Sequence, residues 1–139
     1  MSTFIFILFT LLIFFGVVAA IKNRSHVVPN EAKSYSTTVA GVTKKNSDGK
    51  SRQQIIKDLV YPGMSLRLEA EPTNPYDPKA VAIYAADDQL GYLPRGYHTD
   101  TFNALKEGRQ ITATVEEITG GTSDKRNRGV VITLTKYPN

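Results

Sequence analysis

Two tyrosines and three basic side chains in this sequence are of types that bind nucleic acid. Tyr76 and Tyr92 offer ring faces on which nucleobases stack, each stacked base contributing about 1–3 kcal/mol. Arg52, Lys79 and Arg95 can hold phosphate groups. Two of these have plainer alternatives, because an aromatic residue on a short strand, such as Tyr92, usually belongs to the core, and Lys79 suits a solvated turn.

Tyr76 belongs to a rigid corner, Asn74-Pro75-Tyr76-Asp77-Pro78. The two prolines fix φ, and the side chains of Asn74 and Asp77 can accept hydrogen bonds from nearby backbone amides. Such a corner holds an aromatic ring and a carboxylate in fixed positions at the end of a sheet, and binding sites are usually built from loops on a rigid scaffold. The alternative is a well-capped hairpin that binds nothing.

Short strands and two helices must position this corner. Alternating and apolar runs predict strands at Thr37–Val42, Met64–Glu71, Ala80–Tyr84, Leu90–Leu93, Arg109–Ile118 and Gly129–Lys136. Residues 87–89 are expected to turn the chain, and Val130, Ile132 and Leu134 to face inward. One helix is predicted over Arg52–Val60 with Ser51 as N-cap, and another over Gly96–Glu107 with Thr99 or Asp100 as N-cap. The pattern indicates a mainly β (α+β) domain of about six short strands and two helices, which suits a small β-barrel or an α+β fold.

An apolar run precedes this domain. Phe4–Ile21 has 18 residues and no charge, and as a helix it would span about 27 Å, just enough for a bilayer core. A cleaved signal peptide is the alternative, but the usual positive n-region is missing. Lys22 and Arg24 follow the run and no basic residue precedes it. The positive-inside bias therefore predicts a single-pass membrane protein with residues 22–35 as a polar linker and residues 36–139 as a cytoplasmic domain.

The net charge of +4 gives little support to nucleic-acid binding by itself. Half of it lies beside the apolar run, and residues 36–139 hold 14 basic and 12 acidic side chains. The domain is only mildly basic, so the argument depends on a local patch of charge.

Metal-dependent chemistry has weak support. The chain has no cysteine and two histidines, His26 and His98, which leaves no thiolate site and no His-rich site. Glu69 and Glu71 lie two apart on one strand and share a face, as a nuclease metal site would need, but no third ligand accompanies them. A solvated strand face is the simpler interpretation. We expect no metal, no cofactor and no catalytic residue.

Two motifs at this spacing are similar to those of a known family. Asn74-Pro75-Tyr76-Asp77 with Lys79-Ala80-Val81, followed by Gly91-Tyr92-Leu93-Pro94-Arg95, resembles the HIRAN domain. This small module occurs in some eukaryotic DNA-remodelling helicases and as short bacterial proteins. The resemblance extends over roughly Thr37–Thr135 and also includes Gly41, Gly63, Leu68, Glu71 and Gly108. It implies a modified, OB-like β-barrel.

The resemblance also implies roles for individual residues. The helicase-linked members read 3′ ends of single-stranded DNA, and their Tyr-Asp pair, which meets the terminal nucleotide, corresponds to Tyr76 and Asp77. A basic residue after the Gly-x-Leu strand corresponds to Arg95, and an early arginine to Arg52. Those relatives carry an aromatic residue directly after that arginine and another in the late loop. Here Gln53 follows Arg52, and the loop of residues 119–128 has no aromatic residue.

The sequence and the resemblance together predict a non-catalytic module that binds single-stranded DNA, especially 3′ ends, while tethered to the bilayer through residues 4–21. The expected contact residues are Arg52, Asn74, Tyr76, Asp77, Lys79, Tyr92 and Arg95. One alternative is a membrane-anchored adaptor that binds a protein partner with the same surface, and another is a metal-dependent nuclease. Binding through phosphates weakens steeply with salt, which separates the first two, and Mg²⁺-dependent cleavage would identify the third. The oligomeric state stays open.

Overall fold

A computed structural model describes residues 31–96 and 98–138. The elements in chain order are β1 (Lys33–Thr38), α1 (Arg52–Leu59), β2 (Ser65–Glu71), β3 (Ala80–Ala85), β4 (Asp88–Tyr92), α2 (His98–Lys106), β5 (Ile111–Thr119) and β6 (Gly129–Lys136). Six strands and two short helices confirm the predicted mainly β fold.

The strands form one antiparallel sheet in the order β1-β6-β5-β2-β3-β4. Its two edges meet where Ala40, just after β1, pairs with Tyr92 of β4. The Ala40 amide donates to the Tyr92 carbonyl at 2.8 Å, and the Tyr92 amide donates back at 2.9 Å. This pairing joins the first and last strands, as in a small barrel, and brings the end of β4 beside the β1–α1 connection.

The core lies inside this curved sheet and beneath the two helices. Val130, Ile132 and Leu134 of β6 are all at most 1% exposed, which confirms the face predicted for the last strand. Every β3 residue except Tyr84 is buried. Such a continuous apolar run is typical of a strand covered on both faces, and α2 packs against β3 with Phe102 in the common core.

The first strand differs from its prediction. It begins at Lys33 rather than Thr37 and so includes Lys33, Ser34 and Tyr35, which had been interpreted as polar linker. Ser34 and Ser36 face solvent, whereas Tyr35 packs against the core and its hydroxyl lies 3.2 Å from that of Thr101. A strand with one partly buried ring among hydroxyls and a lysine has too little apolar character to be recognised from its sequence.

The observed ends of several elements differ slightly from the predicted ends. Ser51 caps α1 as predicted, accepting a hydrogen bond from the Gln54 amide. The β3–β4 turn consists of Ala86 and Asp87, and Asp88 already pairs with Ala85 in the sheet. Because α2 begins at His98, neither Thr99 nor Asp100 is its N-cap, and both lie in the first helical turn.

No helix within residues 31–96 and 98–138 is long and apolar enough to cross a membrane. The predicted membrane segment, Phe4–Ile21, and the first part of the predicted linker lie outside the described residues.

Candidate nucleic-acid interface

A groove of about 420 Å³ lies beside the pairing that joins the two sheet edges. It contains six of the seven residues predicted to contact DNA, all except Lys79. The lining residues are Ala40, Lys44, Arg52, Asn74, Tyr76, Asp77, Ala80, Tyr92, Leu93, Pro94 and Arg95. Residues far apart in the sequence therefore form one surface, with an apolar floor and charged groups around it.

Asn74 holds the corner that carries Tyr76. Its Oδ1 accepts hydrogen bonds from the backbone amides of Tyr76 at 2.9 Å and Asp77 at 3.1 Å. Its Nδ2 donates to Glu71 Oε1 at 3.0 Å, which fixes which way the side-chain amide is turned. The corner is thus tied to its own backbone and to the end of β2, as the sequence predicted for an asparagine before a turn.

Tyr92 is a wall of the groove and is anchored through its hydroxyl. The hydroxyl donates to Glu71 Oε1 at 2.9 Å, the same oxygen that accepts from Asn74. The ring is half-buried and lies under the Arg52 guanidinium, whose Cζ is 5.8 Å from the ring centroid. Tyr92 therefore makes structural contacts through its hydroxyl and its ring, and it also lines the groove.

Tyr76 is the most exposed large aromatic residue of the described chain, at 88%. Tyrosine usually hides much of its ring, and here the fixed backbone of the corner presents it to solvent. A rigidly mounted and solvated ring at the mouth of a groove is suited to stacking against a flat apolar partner.

Both oxygens of Asp77 are engaged. Oδ1 accepts from the Lys79 amide at 2.9 Å, and Oδ2 lies 2.9 Å from His98 Nε2 and 3.9 Å from Arg95 Nε. The Lys79 amide and then the His98 ring and Arg95 hold the pKa of the Asp77 carboxyl below its usual value, although partial burial opposes this. An ionised carboxylate is left with further lone pairs that can accept a hydrogen bond from a ligand.

Arg52 and Arg95 supply positive charge in different ways. Arg52 is 7% exposed, and it donates from Nε to Asn46 Oδ1 at 2.7 Å and from a terminal nitrogen to the Gly41 carbonyl at 3.0 Å. It therefore braces the β1–α1 loop while adding charge to the groove wall. The Arg95 side chain is 80% exposed and can move to meet a phosphate.

Lys79 points away from this surface, in contrast to its predicted role. Its Nζ donates to Asn103 Oδ1 on α2 at 3.2 Å and lies 4.8 Å from the centroid of the Phe102 ring. Both contacts are with α2, so the structure does not bring this side chain to the groove.

Two residues that sequence reasoning missed belong to this region. Lys44 lines the groove because Gly41, with φ +78°, turns the loop so that the Lys44 amide donates to the Gly41 carbonyl at 3.1 Å. The basic character of residues 43–50 was visible in the sequence, but not which lysine would face inward. His98, which contacts Asp77, carried no signal because that contact requires the packing of α2.

Gln53, at the position after Arg52, joins two loops. Its Nε2 donates to the carbonyls of Val42 at 3.0 Å and Arg128 at 2.8 Å, and its Oε1 accepts from the Arg128 amide at 2.7 Å. This side chain therefore has a structural role in holding the β5–β6 connection against α1.

The paired glutamates of β2 have separate partners. Glu69 Oε2 pairs with Arg67 at 2.6 Å, whereas Glu71 accepts the bonds from Asn74 and Tyr92. Across the part of the chain that the structure describes, no three His, Asp or Glu side chains come close enough together to hold a metal ion.

Comparisons with known proteins agree with this fold. No match was found among curated protein sequences. The structure is similar to a crystal structure of a Lactobacillus plantarum protein, with 19% identity and a TM-score of 0.55, over 77% of this chain and 98% of that one. It is also similar to the HIRAN domain of human HLTF, with 17% identity and a TM-score of 0.52, over 75% of this chain and 76% of that one. At these identities the two structures support the fold alone.

The sequence itself matches the HIRAN domain over residues 33–135. The match begins at the first residue of β1 and ends one residue before the end of β6, so it takes in every described strand and helix. This chain belongs to the HIRAN domain family.

Proposed function

We propose that the HIRAN domain of this chain is a non-catalytic module that binds single-stranded DNA, with a preference for free 3′ ends. The observation that carries the proposal is the groove in which Tyr76, 88% exposed, stands beside Asp77 and three basic side chains, Lys44, Arg52 and Arg95. An exposed ring and nearby cations are the two components of single-strand binding, one for a base and the other for the backbone.

Each component has a defined task in this proposal. The terminal base stacks on Tyr76, and Lys44 and Arg95 contact the phosphates. Asp77 accepts a hydrogen bond from the free 3′-hydroxyl, whereas a 3′-phosphate would meet it with like charge. Because Asn74 and His98 hold the Asp77 backbone and carboxylate in place, the ligand meets a preorganised acceptor.

Binding is tested by fluorescence anisotropy with the full chain in detergent and a labelled single-stranded oligonucleotide. Tyr76→Ala should weaken binding about tenfold, which corresponds to one lost stacking contact. Tyr61→Ala is the matched control, since Tyr61 is 60% exposed but lies outside the groove. With two or three phosphates neutralised, log K should fall with log salt at a slope of roughly −1.4 to −2. If the affinity changes neither with salt concentration nor with Tyr76→Ala, this surface would instead be expected to bind a protein partner.

End preference is tested with three versions of one strand: a 3′-hydroxyl, a 3′-phosphate, and a 3′ end hidden in a hairpin. The native chain should bind the first most tightly, by about tenfold, since a hydrogen bond to a charged acceptor is made only there. Asp77→Ala should remove the advantage over the phosphate. Equal binding of all three by the native chain would refute end reading while leaving strand binding intact.

We further propose that residues 4–21 anchor this domain to the cytoplasmic face of a membrane. The uncharged run followed at once by Lys22 and Arg24 supports this orientation. A reporter fused after Asn139 should be active only if it is of a type that works in the cytoplasm. Activity of an exported-type reporter would contradict the orientation.

A further inference from the structure

A second hollow, of about 480 Å³, adjoins the groove at the corner. The two spaces share three wall residues, Asn74, Tyr76 and Tyr92. The rest of the second hollow is formed by the end of β2 and by the residues that lead from it to the corner. The Tyr76 ring, 88% exposed, therefore borders two open spaces, and a base stacked on it can extend from the groove into the hollow.

The two spaces differ in charge. The groove contains three basic side chains, whereas the charged residues that line the hollow are Glu69 and Glu71. Glu69 is paired with Arg67 at 2.6 Å, but Glu71 forms no ion pair within the described part of the chain. Phosphates are therefore attracted to the groove and repelled from the hollow. A nucleotide held at Tyr76 with its phosphate on the basic side is left with its base toward the glutamates.

Glu71 has one oxygen engaged and one free. Its Oε1 accepts hydrogen bonds from Asn74 Nδ2 at 3.0 Å and from the Tyr92 hydroxyl at 2.9 Å. Its Oε2 accepts none from the residues that the structure describes. Among those residues the one buried side-chain nitrogen or oxygen without a partner is His98 Nδ1, so Glu71 Oε2 is open to solvent. The hollow thus has a fixed carboxylate with a free acceptor in its wall.

We propose that Glu71 determines base specificity at this site, and that it selects a 3′-terminal base with an exocyclic amino group over thymine. The inference rests on the proposed function, since the base in question is the one stacked on Tyr76. A carboxylate only accepts hydrogen bonds, and the amino groups of cytosine, adenine and guanine donate them. Thymine carries a carbonyl oxygen at the position of the cytosine amino group, so it meets the carboxylate with two acceptors face to face.

Selectivity is measured by fluorescence anisotropy with the full chain in detergent and labelled strands that differ only in the 3′-terminal nucleotide. The native chain should bind the cytosine-ended strand about two- to tenfold more tightly than the thymine-ended one, the range of one hydrogen bond at a partly solvated site. Stacking is controlled by a second pair of ends, adenine and the same purine ring without its 6-amino group. These two rings have the same size, and the amino group should give a similar advantage.

Glu71→Gln reverses the polarity of the free position. The Asn74 amide and the Tyr92 hydroxyl both donate to this side chain, so the glutamine oxygen replaces Oε1 and its NH₂ group replaces Oε2. This variant should bind the thymine-ended strand at least as tightly as the cytosine-ended one. Glu117→Gln is the matched control, because Glu117 is exposed on β5 and lines neither space. It should keep the native ratio.

The ratio between ends distinguishes base recognition from a purely structural role. If Glu71 only braces the corner, Glu71→Gln should weaken all strands by one factor and leave the ratio native, which would overturn the inference. Equal binding of all ends by the native chain would also overturn it, whether or not Glu71→Gln folds, and would leave the proposed function standing. No binding of any strand by the native chain would overturn both.

Discussion

At the scale of single residues, the Asn74 side chain has a structural role in addition to its place in the groove. One side chain bonds the backbone at Tyr76 and Asp77 and the carboxylate of Glu71. Asn74→Ala leaves these groups unpaired, and we expect a loss of about 2 kcal/mol in unfolding free energy, measured by urea denaturation. Oligonucleotide affinity should fall as well, because Tyr76 and Asp77 lose their fixed geometry.

Asn103→Ala is the control for this substitution. Asn103 is also an asparagine outside the core, and its side chain only accepts a bond from Lys79 on the protein surface. Asn103→Ala should lower the unfolding free energy by less than about 0.5 kcal/mol. Equal losses for the two variants would contradict the central role of Asn74.

Asp77 should make folding stability depend on pH in the acid range. Its pKa is lowered in the folded protein from the ordinary 3.8, chiefly by the Lys79 amide and then by His98. The stability it contributes is therefore present above pH 3.8 and is lost as pH falls through the lowered folded value. The native chain should exceed Asp77→Asn in unfolding free energy at pH 7, and the difference should shrink between pH 4 and pH 2.

Asp58→Asn provides the comparison, because Asp58 accepts a single bond from Gln54 on the exposed side of α1. Urea denaturation at pH 7, 5, 3 and 2 would measure both variants. A difference between native and Asp77→Asn that stays constant or grows in acid would show that the carboxylate contributes nothing through its charge.

The local part of this site was predictable, and the part formed by distant packing was not. Asn74 and Asp77 accept from amides two or three residues away, so the sequence itself specifies those bonds. The contact of Asp77 with His98 spans 21 residues and exists only because α2 packs on β3. Arg52 was predicted to contact a phosphate, but its burial among the Gly41 carbonyl and the Asn46 side-chain oxygen depends on the path of the β1–α1 loop, which the sequence does not reveal.

At the scale of elements, α1 is fixed to two loops by Gln53. Removing its three hydrogen bonds in Gln53→Ala should lower unfolding free energy by about 1–3 kcal/mol, because the Val42 and Arg128 backbone groups lose their partner. Hydrogen exchange of the Arg128 amide should also speed up.

The neighbouring Gln54→Ala is a close control, since the Gln54 side chain bonds only Asp58 within the helix. This substitution should lower the unfolding free energy by about 0.5 kcal/mol or less. A similar loss in both variants would mean that helix propensity, and not the loop contact, sets the cost.

Strands with strict alternation were predictable at this scale, and strands defined by pairing were not. Gly129–Lys136 was predicted with its observed bounds because three aliphatic residues alternate along it. β1 has no such pattern, and its start at Lys33 is defined by its pairing with Lys136 at the end of β6. Similarly, α2 begins at His98, before both predicted caps, and the contact of His98 with Asp77 joins parts of the chain that a search for capping residues does not connect.

At the scale of the whole molecule, the groove exists because the sheet closes. No pattern in the sequence indicates that the segment after β1 would pair with β4, since these parts are 52 residues apart. That pairing places Ala40 against Tyr92 and brings Lys44 and Arg52 to the corner carried by β2 and β3. Loss of the closure should therefore separate the two halves of the site even if each strand persists.

Gly91 tests this dependence. A Cβ added there would lie 2.1 Å from the Ala40 carbonyl oxygen and 2.8 Å from the Val39 side chain, both at the closing pair. Gly91→Ala must push the β1 end away from β4, so we expect a loss of about 3 kcal/mol or more in unfolding free energy. Gly63→Ala is the comparison, because Gly63 has φ +88° but no atom within 4 Å of an added Cβ. It should lower the unfolding free energy by only about 1 kcal/mol, through backbone strain.

Hydrogen exchange gives a second measurement. At temperatures where Gly91→Ala is still folded, its Ala40 and Tyr92 amides should exchange with solvent much faster than those of the β5–β6 pair, and its oligonucleotide affinity should fall. If Gly91→Ala instead kept native exchange at Ala40 and Tyr92, the close approach would not be what holds the two sheet edges together.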